Sequence, residues 1–104
     1  MATVRITVIN KIGMKDLQKE YSVRQYAEGA DTSCDKFKIG DTFTHGRGEG
    51  VPNGFCSWAW ADIQRDVEAI KFGGNFPWIK APKTQISCCT DGLRPVFFKI
   101  EQID

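Results

Sequence analysis

From Thr3 the chain alternates, placing Val4, Ile6 and Val8 on one side and Thr3, Arg5 and Thr7 on the other. A period of two is the mark of a strand covered on one face, and it predicts a first strand over residues 3–8. Residues 10–20 are polar, with Gly13 and several lysines, and hold at most a short helical turn. Alternation returns at Tyr21, Ser22, Val23 and Arg24, which predicts a short second strand. After a small, polar stretch from Ala27 to Asp35, the apolar Phe37 and Ile39, the Gly40-Asp41 turn signal and Phe43 mark a third, with Cys34 in the loop leading into it. His45 to Gly54 holds four of the chain's glycines in ten residues and reads as a loop, because ordering so many glycines is entropically costly.

The clearest helix covers residues 58–72. Trp60, Ile63, Val67 and Ile70 recur at spacings of three, four and three and form one apolar stripe, while Asp62, Arg65, Asp66 and Glu68 fall mostly on the wet side. Ser57 is placed to cap its start, and Gly73-Gly74 to stop it. Apolar runs at residues 84–89 and 96–100 predict two further strands, joined by a connection containing the hairpin signal Asp91-Gly92. The elements add up to an α+β fold, a small, mostly antiparallel sheet of about five strands with one main helix packed on it, in a single domain spanning residues 1–104.

Composition narrows the function classes. The chain has 104 residues, 41% hydrophobic and 26% charged, an ordinary globular balance. Its formal net charge is +1 with no basic run, so it lacks the patch that phosphate neutralisation demands, and no nucleic-acid partner is expected. No stretch of about 18 apolar residues occurs, and no membrane span is expected. The alternating start is unlike a secretory signal, which implies a cytoplasmic protein. Thiols are kept reduced there, so the four cysteines read as free thiols, metal ligands or redox groups rather than as a disulfide scaffold.

Cys34, Cys56, Cys88 and Cys89 contain no C-x-x-C pair. In a regular strand Cys88 shares a face with Ile86, and Cys89 with Ser87 and Gln85, so the adjacent pair splits between two faces. One expectation is that Cys34 and Cys88 are simply small buried hydrophobes. A second is that Cys34, Cys56 and one or both of Cys88 and Cys89 converge as thiolate ligands for a metal ion such as zinc, iron or copper. Cys56, just ahead of the helix, lies where free amides and the helix dipole favour an anionic sulfur. That position also suits a catalytic pair, with Cys56 as nucleophile and Cys89 as resolving thiol. His45, the sole histidine, is expected to be a solvated loop side chain, with a fourth metal ligand as its functional alternative. Gly46-Arg47-Gly48-Glu49-Gly50 lacks the strand-before, helix-after context of a phosphate loop, so nucleotide binding is unsupported.

Phe55, Trp58, Trp60, Phe72, Phe76 and Trp78 concentrate half of the chain's aromatic residues in one region. Most are expected in the core. Trp58 and Trp60 stand about 200° apart around a helix, however, so one of them must cover a loop, line a cleft or meet a partner. Asn75, Asp91 and Arg94 lie in turns and could supply polar groups to a binding surface for a small molecule, Arg94 as an anion clamp; Asp91 is equally suited to stabilising its own turn. An exposed Trp58 or Trp78 would also serve an interface, in a homo-oligomer or with a protein partner.

The strings Phe55-Cys56-Ser57-Trp58-Ala59-Trp60-Ala61-Asp62, Phe72-Gly73-Gly74-Asn75-Phe76-Pro77-Trp78 and Cys88-Cys89-Thr90-Asp91-Gly92-Leu93-Arg94-Pro95 resemble a family of small prokaryotic proteins, about one hundred residues long, with no assigned function. A cysteine shortly before Phe37-Lys38-Ile39-Gly40 extends the resemblance to most of the chain. It implies that the four cysteine positions belong to the family pattern and form a plausible site, and it brings no mechanism. His45 and its glycine-rich loop lie outside these strings.

Overall fold

The computed structural model describes residues 3–104. Its elements are β1 (Thr3–Lys11), α1 (Lys15–Tyr21), β2 (Thr42–Gly46), α2 (Ser57–Lys71), β3 (Thr84–Cys88) and β4 (Val96–Gln102). The strands form one antiparallel sheet in the order β2-β1-β4-β3. The fold is α+β, and among the described residues it has four strands and two helices where five strands and one main helix were expected.

The core follows the alternation directly. Val4, Ile6 and Val8 of β1 and Val96, Phe98 and Ile100 of β4 are all buried on one sheet face. Against them α2 lays Trp60, Ile63, Val67 and Ile70, the stripe the spacing predicted, together with Ala59. Fully burying each such side chain contributes about 1.5–3 kcal/mol, which makes the α2–sheet contact the main adhesive of the molecule. A bulge at Ile9 shifts the register between Val8 and Asn10; the extra residue breaks the alternation and sends the end of β1 away from the core.

α2 starts one residue earlier than expected. Cys56 is its N-cap and Ser57 its first helical residue. Its end was legible: Gly73 takes the left-handed conformation, φ 89°, that a glycine adopts at little cost, and its N–H donates to the Ile70 carbonyl.

Between β1 and β2 the expectations fail for one reason, that these residues are held by polar groups and isolated apolar anchors. The predicted strand at residues 21–24 is absent, and Val23 is wholly exposed. Instead, residues 15–21 form α1, whose buried residue is not apolar: Gln18 donates from Nε2 to the Thr32 and Leu93 carbonyls, both at 2.9 Å. A helix held by an amide leaves no hydrophobic period to read. Gly13, just ahead of it, packs so closely on Thr32 that a β-carbon there would stand 2.6 Å from the Thr32 carbonyl carbon. The strand expected from Phe37 begins only at Thr42, because Phe37 turns into the core and packs its ring on Phe43, Phe55 and Phe98. β2 then runs through His45 and Gly46, which had been placed in a loop.

Candidate functional site

Three cysteines from three distant segments line one cleft of about 600 Å³. Cys34 arrives on the loop before β2. Asp31 shapes that loop by accepting from the Ser33 N–H at 2.9 Å and from its hydroxyl at 2.6 Å, and these bonds hold the Asp31 carboxyl below its ordinary pKa. Lys11 Nζ donates to the Cys34 carbonyl at 2.9 Å, tying the loop to the end of β1. Phe37, three residues on and buried, fixes it to the core.

Cys56 is half-buried at the N-cap of α2, held by the buried Phe55 on one side and by the first helical bond, Trp60 N–H to Cys56 carbonyl at 2.9 Å, on the other. Its sulfur makes no capping bond, and the first turn of α2 contains no acidic residue. Cys89 lies just beyond β3, buried, its sulfur accepting the Val96 N–H at 3.3 Å. The next residue locks the strand end to the helix: the Thr90 N–H and hydroxyl both donate to the Asp62 carboxylate, at 2.8 and 3.0 Å.

The fourth cysteine takes no part in the cleft. Cys88 is exposed, as is Ile86, while Cys89 is buried, so the split between two faces that the alternation predicted continues past the end of β3. Cys88 is therefore not the buried packing residue anticipated. Partial burial, followed by the neighbouring Cys89 and Asp62, pushes its thiol pKa up. All four cysteines are free. Among the described residues, no group of three or more His, Cys, Asp and Glu side chains is drawn together tightly enough to hold a metal ion. The thiols share a cleft without forming a closed coordination shell.

The rim carries Asp91, Arg94, Asp35 and Lys36. Asp91 builds its own turn, its Oδ1 accepting the Leu93 and Arg94 N–H groups at 2.9 and 3.1 Å. Its other oxygen stands 3.6 Å from Arg94 Nε, and Asp35 is 4.0 Å from the same guanidinium. Burial works against the charge of Arg94, but Cys34, Asp91, Tyr26 and Asp35 outweigh it and raise the pKa of Arg94 further.

The tryptophans separate as their spacing required. Trp60 is buried against Phe55 and the His45 ring. Trp58 is 70% exposed at the mouth of the cleft. Asn75 and Trp78 do not line it: Asn75 Oδ1 accepts the Lys83 N–H at 2.6 Å, and Trp78 packs on Phe76.

His45 does not sit in a solvated loop. It is 1% exposed and lies outside the cleft. Its Nδ1 is 3.1 Å from the Gly50 carbonyl, which can only accept, so Nδ1 carries the proton and Nε2 accepts from Lys71 Nζ at 3.0 Å. The buried Lys71 also donates to Glu68 at 3.0 Å, so the network ends at the surface. Among the described residues, none that lines the cleft hydrogen-bonds to this trio, whose role is to satisfy polar groups against α2.

Sequence reasoning missed Phe37, Asp62 and Thr90 as supports of the site. Phe37 stood out only as an apolar strand position, and Asp62 only as a carboxylate on the wet face of a helix, whose partner 28 residues away could not be inferred. No family model, curated protein or solved structure matches this chain.

Proposed function

We propose that the cleft is a site of thiol chemistry on a small molecule, with Cys56 as the nucleophile. The observation that carries this reading is the convergence of Cys34, Cys56 and Cys89 on one cleft, with Cys56 at the start of a 15-residue helix and its sulfur free of any capping bond. A half-buried thiol lining a cleft is reachable by a ligand. Cys89, buried and held by the Val96 N–H, is the second thiol lining the cleft; were a ligand held on Cys56 as a mixed disulfide, attack of the Cys89 thiolate on the Cys56 sulfur would form the Cys56–Cys89 disulfide and release the ligand as its thiol. The near-zero net charge argues against nucleic acid, and a reducing compartment such as the cytoplasm suits four free thiols. Among the described residues no helix is long and apolar enough to cross a membrane.

The test is thiol-by-thiol alkylation at neutral pH with mass-spectrometric readout. Cys56 is expected to react fastest, and Cys56→Ser to remove the fast phase. Four thiols reacting at one slow rate would overturn the reading.

The same convergence supports a second reading, in which the three thiolates close on a soft or borderline metal ion such as zinc, iron or copper. It requires the cleft walls to draw together, since no closed ligand group stands among the described residues. Elemental analysis of protein purified without oxygen or chelator decides it: stoichiometric metal lost in Cys56→Ser would assign the cleft to metal binding.

A further inference from the structure

We infer that the cleft selects an uncharged, planar ligand, and that Trp58 is the residue that selects it, by stacking. This rests on the reading of Cys56 as the reactive thiol.

Charge comes first. Two acidic residues, Asp35 and Asp91, and two basic ones, Lys36 and Arg94, border the cleft and balance each other. The guanidinium of Arg94, the group best placed to hold an anion, already faces Asp91 at 3.6 Å and Asp35 at 4.0 Å. A carboxylate or phosphate entering here would have to displace one carboxylate and meet the other, and like charges at such distances repel. The guanidinium of Arg94 is therefore not free to clamp an anion, and the formal charges of the rim sum to zero.

Shape and polarity come second. Inside its charged rim the cleft is lined by the apolar Phe37, Ala59 and Val96 and by the three cysteines. These are apolar or soft, polarisable surfaces, suited to an apolar ligand.

Trp58 supplies the third observation. Among the described residues, Trp60 has ring partners in His45 and Phe55, and Trp78 has one in Phe76; Trp58 packs on no aromatic ring. It is 70% exposed and lines the same cleft as Cys56. An indole left in water beside a nucleophile is a surface on which a flat ligand can stack.

A planar, uncharged maleimide serves as the probe, and its reaction with the site needs no co-reactant. The Cys56 thiol gives up its proton to water and its sulfur bonds to the β-carbon. The C=C electron pair moves through the α-carbon onto the carbonyl oxygen as an enolate, and water returns a proton to the α-carbon. The net change is addition of S–H across C=C, with nothing oxidised or reduced by an outside partner.

The experiment compares the rates at which N-phenylmaleimide and N-ethylmaleimide modify Cys56 in the intact protein, with a short cysteine peptide as the reference for intrinsic reactivity. Cys56 is expected to prefer the phenyl compound, relative to the peptide, by roughly two- to tenfold, the range that aromatic stacking supplies. Trp58→Ala is expected to return the phenyl-to-ethyl ratio to the peptide's value and Trp58→Phe to keep most of the preference; Trp58 is exposed, so neither change opens the core. N-(4-carboxyphenyl)maleimide is expected to react more slowly than N-phenylmaleimide. A wild-type ratio equal to the peptide's, a ratio unmoved by Trp58→Ala, or a faster carboxylated probe would each overturn this inference while leaving Cys56 reactive. Cys56 reacting with N-ethylmaleimide no faster than Cys88 would overturn the thiol reading itself, and this inference with it.

Discussion

At the scale of single residues, environment separates side chains that the sequence presents as equals. Cys88 and Cys89 are neighbours, yet one faces water with its thiol pKa raised and the other is buried under a backbone N–H. Cys88 is expected to alkylate more slowly than a free cysteine at neutral pH, its rate climbing only at higher pH; labelling by iodoacetamide across the alkaline range checks this, and a profile coincident with free cysteine would contradict it. Asp31 shifts the other way, through the Ser33 hydroxyl and amide. A lowered carboxyl contributes stability above its ordinary value of 3.8 and loses it as pH falls through the depressed one, so Asp31→Asn is expected to flatten the acid limb of the stability curve. The splitting of Trp58 from Trp60, and of Cys88 from Cys89, was legible because helix and strand geometry alone decide it. The burial of His45 was not, since it depends on where β2 ends and on Lys71, 26 residues away. His45→Ala removes ring packing on Trp60 and the acceptor of a buried ammonium, and is expected to cost about 2–4 kcal/mol in urea unfolding.

At the scale of elements, the site is a junction between α2 and the two ends of the sheet's connections. The stripe on α2 announced that helix, whereas α1 was hidden because its one buried residue is the polar Gln18. Asp62 and Thr90 are the bolt between α2 and the chain leaving β3. Asp62→Ala is expected to lower stability by about 1–3 kcal/mol, the worth of hydrogen bonds to a carboxylate. It should also speed alkylation of Cys89, by freeing the segment that buries it. Thermal melting with parallel thiol labelling reads both, and a melting loss without any change at Cys89 would show that the bolt does not guard the cleft.

At the scale of the whole molecule, core and cleft are one structure. Phe37 joins the ring cluster of Phe43, Phe55 and Phe98 while lining the cleft. Phe37→Ala is therefore expected to cost about 3–5 kcal/mol, the range for emptying a large aromatic site, and to detach Cys34 from the cleft. Chemical denaturation measures the first effect. Labelling of Cys34 under native conditions measures the second, and an unaltered Cys34 rate would separate the cleft from the core.

The α+β class, the sheet faces of β1 and β4, the buried stripe of α2 and its glycine stop are all legible in the amino-acid order, because they rest on local periods and on one residue's backbone freedom. Equally legible is that only one of Trp58 and Trp60 could enter the core. Tertiary structure alone decided that Cys34, Cys56 and Cys89 share a cleft without Cys88, that Arg94 is engaged by Asp91 and Asp35, and that His45 is buried against Lys71. Those relations join residues from separate elements, and their distances arise only when the sheet order β2-β1-β4-β3 and the packing of α2 bring the segments together.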